Sequence, residues 1–117
     1  MISPLDSGMA AISAFSVKMN VTANNIANVN SDGFKKSRTT LKEGQFGGVE
    51  PKVDQVNTPG ITKLVSENGE DRQVEASNVD IAEEVTDSVA TEAGYKANLK
   101  TIQAYDEMIG SLLNTIG

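Results

Sequence analysis

Apolar residues recur every seven positions along the first third of the chain. One row is Leu5, Ile12, Met19 and Ile26, and a companion row is Gly8, Phe15, Thr22 and Val29. Such a repeat is typical of a helix that packs along a second helix. Ser3 can cap this helix, Pro4 suits its first position, and Gly33 can end it in the left-handed conformation. We therefore predict a helix from Pro4 to about Asp32.

A second amphipathic segment occupies the end of the sequence. It begins at Ser77-Asn78-Val79-Asp80, where a serine followed three residues later by an acid predicts a helix start. Acidic side chains crowd its first turns, where the positive end of the helix dipole favours them. Its apolar stripe consists of Ile81, Val85, Val89, Tyr95, Leu99, Ile102, Ile109, Leu113 and Ile116. We predict that this helix reaches the last few residues.

Residues 35–76 between the two helices favour extended structure. Two short alternating runs flank Thr58-Pro59-Gly60, which predicts a type II turn, and Asn68-Gly69 is a strong signal for a tight turn. We expect one hairpin near Val49 to Val65. The predicted fold is mainly α: residues 1–34 and 77–117 form a discontinuous helical core, paired as an antiparallel coiled coil, and residues 35–76 form a small extended or β-hairpin insert.

The first helix and the end of the second lack a face suited to water. Lys18 is the only charged residue between Asp6 and Asp32, and Met108–Gly117 has no charged side chain. Charge depletion is typical of surfaces that neighbouring chains cover, although a weakly stable polar face remains an alternative for the row Asn20, Asn24 and Asn28. We expect packing within a subunit to use Leu5, Ile12, Phe15, Met19, Ile26, Val29, Val85, Tyr95, Leu99 and Ile102. We expect contacts between subunits to use Asn24, Asn28, Ile109, Leu113 and Ile116.

Composition narrows the functional classes. The 117 residues carry a net charge of -6, which argues against a nucleic-acid partner. The basic cluster Lys35, Lys36, Arg38 and Lys42 is interpreted as a solvated strand face or a subunit contact. Histidine and cysteine are absent, so the usual general base, thiol nucleophile and transition-metal ligands are missing. We expect no enzyme activity, cofactor or metal. The apolar run near the start is short and follows no Lys or Arg, which argues against a signal peptide or membrane span.

Several sequence segments in and beside the two predicted helices resemble the motifs of bacterial flagellar axial proteins, the rod and hook subunits. The amino-terminal motif is similar to Val21-Thr22-Ala23-Asn24-Asn25-Ile26-Ala27-Asn28-Val29-Asn30-Ser31-Asp32-Gly33-Phe34-Lys35, and the carboxy-terminal motif to Ser77-Asn78-Val79-Asp80, Gly94-Tyr95-Lys96-Ala97-Asn98 and Asp106-Glu107-Met108. The motif residues are Asn24, Asn25, Ala27, Asn28, Asn30, Gly33, Phe34, Asn78, Val79, Asp80, Tyr95, Ala97, Asn98, Asp106, Glu107 and Met108.

This resemblance implies how the chain folds and assembles, and where in the cell it is located. The terminal helices would pair as a coiled coil lining the inner tube of a helical assembly, and residues 35–76 would form an outer layer. The expected partners are further copies of the chain, other rod and hook proteins, and the flagellar type III export apparatus. The resemblance implies export without a cleaved signal peptide, and a location in the basal body across the periplasm without insertion into the membrane.

Three functional hypotheses follow. The first is a structural subunit of the flagellar rod, a hollow shaft that transmits torque for motility. The size resembles a short proximal rod subunit, whereas the carboxy-terminal motif is closer to hook and distal-rod members, so a hook-type protein with a reduced middle domain is the second. The third is a freestanding helical dimerisation module, such as an adaptor or secretion chaperone.

Overall fold

The computed structural model describes residues 3–117, in which two long helices are joined by two β-hairpins. Helix α1 spans Pro4–Ala27 and helix α2 spans Ile81–Ile116. The strands between them are β1 (Ser37–Glu43), β2 (Val49–Gln55), β3 (Thr62–Glu67) and β4 (Glu70–Glu75). The mainly helical class with a small antiparallel insert is thus confirmed. The first two positions of the predicted segment 1–34 lie outside the described residues.

The molecule is strongly elongated. Its principal extents are 81 × 25 × 18 Å and its radius of gyration is 20.8 Å, against ~13 Å for a compact domain of this length. Helix α2 accounts for most of the long axis, because 36 residues at ~1.5 Å each extend about 54 Å. Among the described positions, the buried hydrophobic residues are Ala11 and Ala14. A single chain therefore has almost no apolar core of its own.

Both ends of α1 are set by short-range hydrogen bonds. At its start the Ser3 hydroxyl accepts from the Asp6 amide at 3.1 Å, which confirms the predicted cap. At its other end the prediction was too long, because α1 ends at Ala27 and not near Asp32. The Asn28 side chain donates to the Asn24 carbonyl at 2.9 Å. Asparagine side chains compete for helical carbonyl groups in this way, which makes them poor helix formers.

Gly33 has the predicted left-handed conformation, with φ of 73°, but it does not cap the helix. It lies in the turn that leads from α1 to β1. Its amide donates to the carbonyl of Glu75 at 2.8 Å. Gly33 thus joins this turn to the end of β4.

Helix α2 begins later than predicted. Its N-cap is Asp80, whose carboxylate accepts from the amides of Ala82 at 2.9 Å and Glu83 at 3.3 Å. Ser77 instead accepts from the Val79 amide at 3.2 Å. The backbone amide of Asn78 donates to the Phe34 carbonyl at 3.3 Å. Residues 77–79 are therefore held against the segment that leads into β1. At its other end α2 reaches Ile116, as predicted.

The insert contains two hairpins, and the predicted pairing between Val49 and Val65 is wrong. Strand β2 pairs with β1, and β3 pairs with β4, both antiparallel. The first hairpin turns through the glycine-rich segment between β1 and β2, where Gly47 and Gly48 both have positive φ. The second turns at Asn68-Gly69 with φ of 56° and 83°, so the predicted tight turn is confirmed.

Thr58-Pro59-Gly60 connects the hairpins, and it is not the predicted type II turn because Gly60 lacks a positive φ. Glycine is required there for another reason. A Cβ atom on Gly60 would lie 2.0 Å from the carbonyl oxygen of Ala76. The backbones of the connection and of the segment before α2 therefore approach too closely for any side chain.

The two helices pack side by side in opposite directions. Near the start of α1, a Cβ atom on Gly8 would lie 3.1 Å from Ile102, and farther along, one on Gly94 would lie 2.7 Å from the Phe15 ring. Lys18 reaches Asp87 at 3.7 Å. The order of these contacts shows that α1 and α2 are antiparallel. Two glycines facing the opposite helix allow the close approach.

Candidate functional site

The candidate site is the junction where the end of α1, the start of β1 and the start of α2 meet. Asn25, on the last turn of α1, is 2% exposed. Its side-chain amide donates to the Ser37 carbonyl at 2.7 Å, and its side-chain oxygen accepts from the Ser37 amide at 3.0 Å. The same Nδ2 donates to Glu84 Oε2 at 3.2 Å. Asn25 therefore binds both the first strand and the first turn of α2.

Asn78 has the corresponding role on the other side of the junction. Its Oδ1 accepts from the Lys36 amide at 2.7 Å. Its Nδ2 donates to the carbonyls of Val56 at 2.8 Å and Thr58 at 2.9 Å. The backbone completes this link, because the Val56 amide donates to the Lys36 carbonyl at 2.8 Å. One side chain thus holds the beginning of β1, the residues after β2 and the approach to α2 together.

Charged groups surround these asparagines. Lys36 is only 7% exposed and donates to Glu83 Oε2 at 2.7 Å. Arg38 lies 3.7 Å from the other oxygen of Glu83. The basic cluster was interpreted as a solvated strand face or a subunit contact, and for Lys36 the solvated alternative is wrong. A buried ammonium group needs a paired carboxylate, and the first turn of α2 provides one.

A second ion pair, between Lys35 and Glu75, joins the two ends of the insert. Lys35 donates to Glu75, and the Gly60 amide also donates to that carboxylate at 2.8 Å. The hydrogen bond from Lys35 lowers the pKa of Glu75 below its ordinary value of 4.5, and the bond from Gly60 lowers it further. Both bonds favour the charged form of the carboxyl group. At neutral pH they link the start of β1, the hairpin connection and the end of β4.

The seam between the helices is narrow and mostly small or polar. The buried positions on α1 are Gly8, Ala11, Ala14, Thr22 and Asn25, and those on α2 are Glu84 and Thr91. Thr91 is 1% exposed, and its hydroxyl donates to the Asp87 carbonyl at 2.7 Å. The large apolar side chains are only half-buried there: the Phe15 ring lies against Gly94, and Ile102 lies against Gly8, so a glycine on each helix makes room for a large side chain of the other.

Most residues predicted to pack within the subunit are half-buried in the single chain. Those half-buried are Leu5, Ile12, Phe15, Met19, Ile26, Val29, Tyr95 and Ile102. Val85 and Leu99 differ from the prediction, because they are 48% and 40% exposed. The adjacent Glu84 is turned inward towards Asn25, which leaves Val85 on the outer side of α2. In the single chain these two side chains are not buried, and their role in packing remains a prediction.

The residues predicted to lie between subunits are accessible to varying degrees. Ile109, Leu113 and Ile116 are 39%, 63% and 76% exposed. Asn24 is exposed and Asn28 half-buried, and the Asn28 amide donates to Asn24 Oδ1 at 2.8 Å. The two asparagines therefore already bind each other along one helix. The roles of all five in an interface stay predictions.

The motif residues fall into three places. Asn25, Gly33, Phe34, Asn78, Val79 and Asp80 meet at the junction, beside Asn24, Ala27, Asn28 and Asn30 at the end of α1. Tyr95, Ala97 and Asn98 lie in the middle of α2, where Asn98 donates to the Gly94 carbonyl at 2.8 Å. Asp106, Glu107 and Met108 are exposed near the end of α2. The two motifs are far apart in the chain, but each contributes an asparagine to the junction. Asn25 binds Ser37 and Asn78 binds Lys36, which are consecutive residues.

Sequence reasoning missed the charged members of the junction, Lys36, Glu75, Glu83 and Glu84. Each follows or precedes a motif residue by only a few positions, but their pairings join residues far apart in the chain. Among residues 3–117, the acidic side chains form no group that could hold a metal ion. Over the same described range, neither helix has an apolar stretch long enough to cross a membrane.

Both chain segments that meet at this junction match families of known proteins. Residues 5–35 match a family model described as flagella basal body rod protein, and residues 71–115 match one described as the C-terminal part of flagellar basal body rod FlgEFG proteins. The flagellar basal-body rod protein FlgG of Bacillus subtilis (strain 168) is 51% identical over 43 residues, which cover 37% of this chain and 16% of that relative. The matched segment is thus a small part of the relative's length. The two family matches contain the described length of α1 from Leu5 and nearly all of α2.

Proposed function

This chain belongs to the flagellar basal body rod protein family, and from that premise we propose that it is a structural subunit of the bacterial flagellar basal-body rod. Copies of the chain assemble helically with one another and with other rod and hook proteins. The product is a hollow shaft in the basal body that spans the periplasm, transmits torque and leaves a channel for later exports. The subunit itself leaves the cytoplasm through the flagellar type III apparatus without a cleaved signal peptide.

The observation that carries this proposal is the exposed apolar end of α2. Met108, Leu112, Leu113 and Ile116 are between 54% and 76% exposed. Because Gly8 faces Ile102 and α1 begins at Pro4, α2 continues for about 15 Å past the described start of α1. An apolar helix end with no charge is a liability in a free monomer, and burial in an assembly removes it.

The seam supports the pairing of the two helices as an antiparallel coiled coil. Its inward positions repeat every seven residues, as Gly8, Phe15 and Thr22 with Ala11, Lys18 and Asn25 on α1, and as Glu84, Thr91, Asn98 and Tyr105 with Ser88, Tyr95 and Ile102 on α2; all are buried or half-buried. This spacing is the one that keeps two helices in contact over a long distance. In the proposal, residues 1–34 and 77–117 form the inner core and residues 35–76 an outer layer.

The Ile109→Asp variant tests the proposal. A carboxylate in a subunit contact is left desolvated and unpaired, so we expect the variant to be exported but absent from isolated basal bodies, with loss of swimming. The control is Gln103→Asp, which adds the same charge at an exposed polar position of α2. Normal swimming and normal incorporation of the Ile109 variant would contradict the proposal.

A freestanding adaptor, dimerisation module or secretion chaperone is the second candidate. It is favoured by the second apolar stripe on α2, where Val85, Val89 and Leu99 are 48%, 64% and 40% exposed and could join two copies in a closed dimer. Light scattering with circular dichroism at low concentration separates the two functions. A discrete stable dimer favours the adaptor, whereas a monomer that polymerises as its concentration rises favours the rod.

A hook-type subunit with a reduced middle domain differs from a rod subunit only in its position. The small insert, with two two-stranded hairpins among the described residues, fits either position. The height of the labelled protein in isolated basal bodies, measured by immunogold electron microscopy, distinguishes the rod from the hook.

A further inference from the structure

A groove lies beside the N-terminal end of α2. It has a volume of about 450 Å³, and one wall is the connection between the hairpins, with Pro59 and Ile61. Val79 and Ile81 line the opposite wall. Ile61 is 81% exposed and Ile81 is 42% exposed, although both are large apolar side chains. The groove is therefore an open surface at one end of the longest helix, with exposed apolar side chains beside polar ones.

The shape of this groove is set before any partner binds. The Ala76 amide donates to the Ile61 carbonyl at 2.8 Å, and Asn78 donates to the Thr58 carbonyl at 2.9 Å. Gly60 is fixed by its bond to Glu75 at 2.8 Å and by its close approach to Ala76. A binding surface that is already ordered loses little conformational entropy when it is filled.

The opposite end of α2 has the chemistry that suits this groove. From Met108 to Gly117 no side chain is charged. Leu113 and Ile116 are 63% and 76% exposed. Asp80 is among the residues that line the groove, and the side chains at this end of α2 bring no carboxylate against it. The start of α1 fits less well, because Asp6 would face Asp80.

Within one chain the two surfaces cannot meet. Ile81 and Leu113 belong to the same continuous helix and are separated by about 48 Å along its axis. Any contact between the groove and the helix end therefore needs two copies. Each copy then keeps one free groove and one free helix end, so the contact is heterologous and the assembly is open-ended.

We infer that the groove formed by Pro59, Ile61, Val79 and Ile81 receives the end of α2, around Leu113 and Ile116, from a second copy of this chain. This inference rests on the proposed function and adds to it the surface that accepts the helix end. It makes the contact directional, from the end of α2 in one copy to the beginning of α2 in the next.

Cysteine cross-linking tests the inference cleanly, because the chain contains no cysteine. The double variant Ile61→Cys with Leu113→Cys is expressed in place of the native chain, and isolated basal bodies are oxidised and run on a non-reducing gel. We expect a ladder of dimers, trimers and longer species. The matched control pairs Leu64→Cys with Leu113→Cys, since Leu64 is 70% exposed on β3 but does not line the groove. We expect no ladder from it.

The outcomes separate this inference from the proposed function. If the variant is present in basal bodies but Ile61→Cys forms no ladder with Leu113→Cys, Leu112→Cys or Ile116→Cys, the inference fails and the rod proposal stands. A product that stops at the dimer, or an equal ladder from the Leu64 control, also overturns it. If the native chain is absent from basal bodies, the rod proposal fails. The same oxidation of concentrated purified protein then decides the inference: a ladder retains it and its absence overturns it.

Discussion

Asn25 and Asn78 accept hydrogen bonds from two consecutive backbone amides, that of Ser37 at 3.0 Å and that of Lys36 at 2.7 Å. Asn25 belongs to α1, whereas Asn78 lies just before α2. The backbone at the start of β1 is therefore hydrogen-bonded by two asparagine side chains, one from each side. They bind it much as a neighbouring strand would. This arrangement fixes the direction in which the insert leaves the helices.

The first prediction concerns Asn25. We expect Asn25→Ala to lower the free energy of unfolding by about 1–3 kcal/mol, because the variant leaves the half-buried backbone of Ser37 and the buried carboxylate of Glu84 without this partner. Urea denaturation of the purified chain, followed by circular dichroism, measures the change. Asn30→Ala is the control, since Asn30 is an exposed motif residue in the turn after α1. Equal losses from both variants would contradict the role assigned to Asn25.

The second prediction compares two glycines of α2. Alanine is a better helix former than glycine by up to ~1 kcal/mol, so Gly110→Ala should stabilise the chain by about that amount. A Cβ atom there would have no heavy atom within 4 Å among the described residues, whereas one on Gly94 would lie 2.7 Å from the Phe15 ring. We expect Gly94→Ala to destabilise the chain, as measured by thermal unfolding. The added substitution Phe15→Leu should recover part of that loss; a stabilising Gly94→Ala would exclude close helix packing at this point.

The third prediction concerns pH. The folded chain holds the pKa of Glu75 below its ordinary value of 4.5, first through Lys35 and then through the Gly60 amide. A group whose pKa is lowered by folding binds fewer protons in the native state, so its stabilising contribution is complete above pH 4.5 and is lost as the pH falls through the lower, folded pKa. Unfolding midpoints measured from pH 7 downward should show this loss. In Glu75→Gln the corresponding part of the pH dependence should be absent, while the other carboxyl groups still titrate.

The features that could be predicted from the sequence are those made by neighbours in the chain. Ser3 and Asp6 form a cap within one turn, and Asn68-Gly69 turns a hairpin by itself. The seven-residue repeat in the first helix predicted that a second helix packs along it, and the motif segments indicated the family. The charge-free end of α2 predicts a surface for other chains, and this stays a prediction. Each of these signals depends on residue types within a few positions of one another.

The tertiary structure alone decided how distant segments meet. The partner of β2 is β1 and not β3, because α1 supports the first hairpin and the glycine-rich turn closes it. Lys36 is buried because Glu83, 47 residues later, reaches it from the first turn of α2. Phe15 and Ile102 fit between the helices because each lies against a glycine of the opposite helix, Gly94 and Gly8. A heptad pattern specifies which residues share a helix face, but the rotation of that face depends on contacts between segments that only folding brings together.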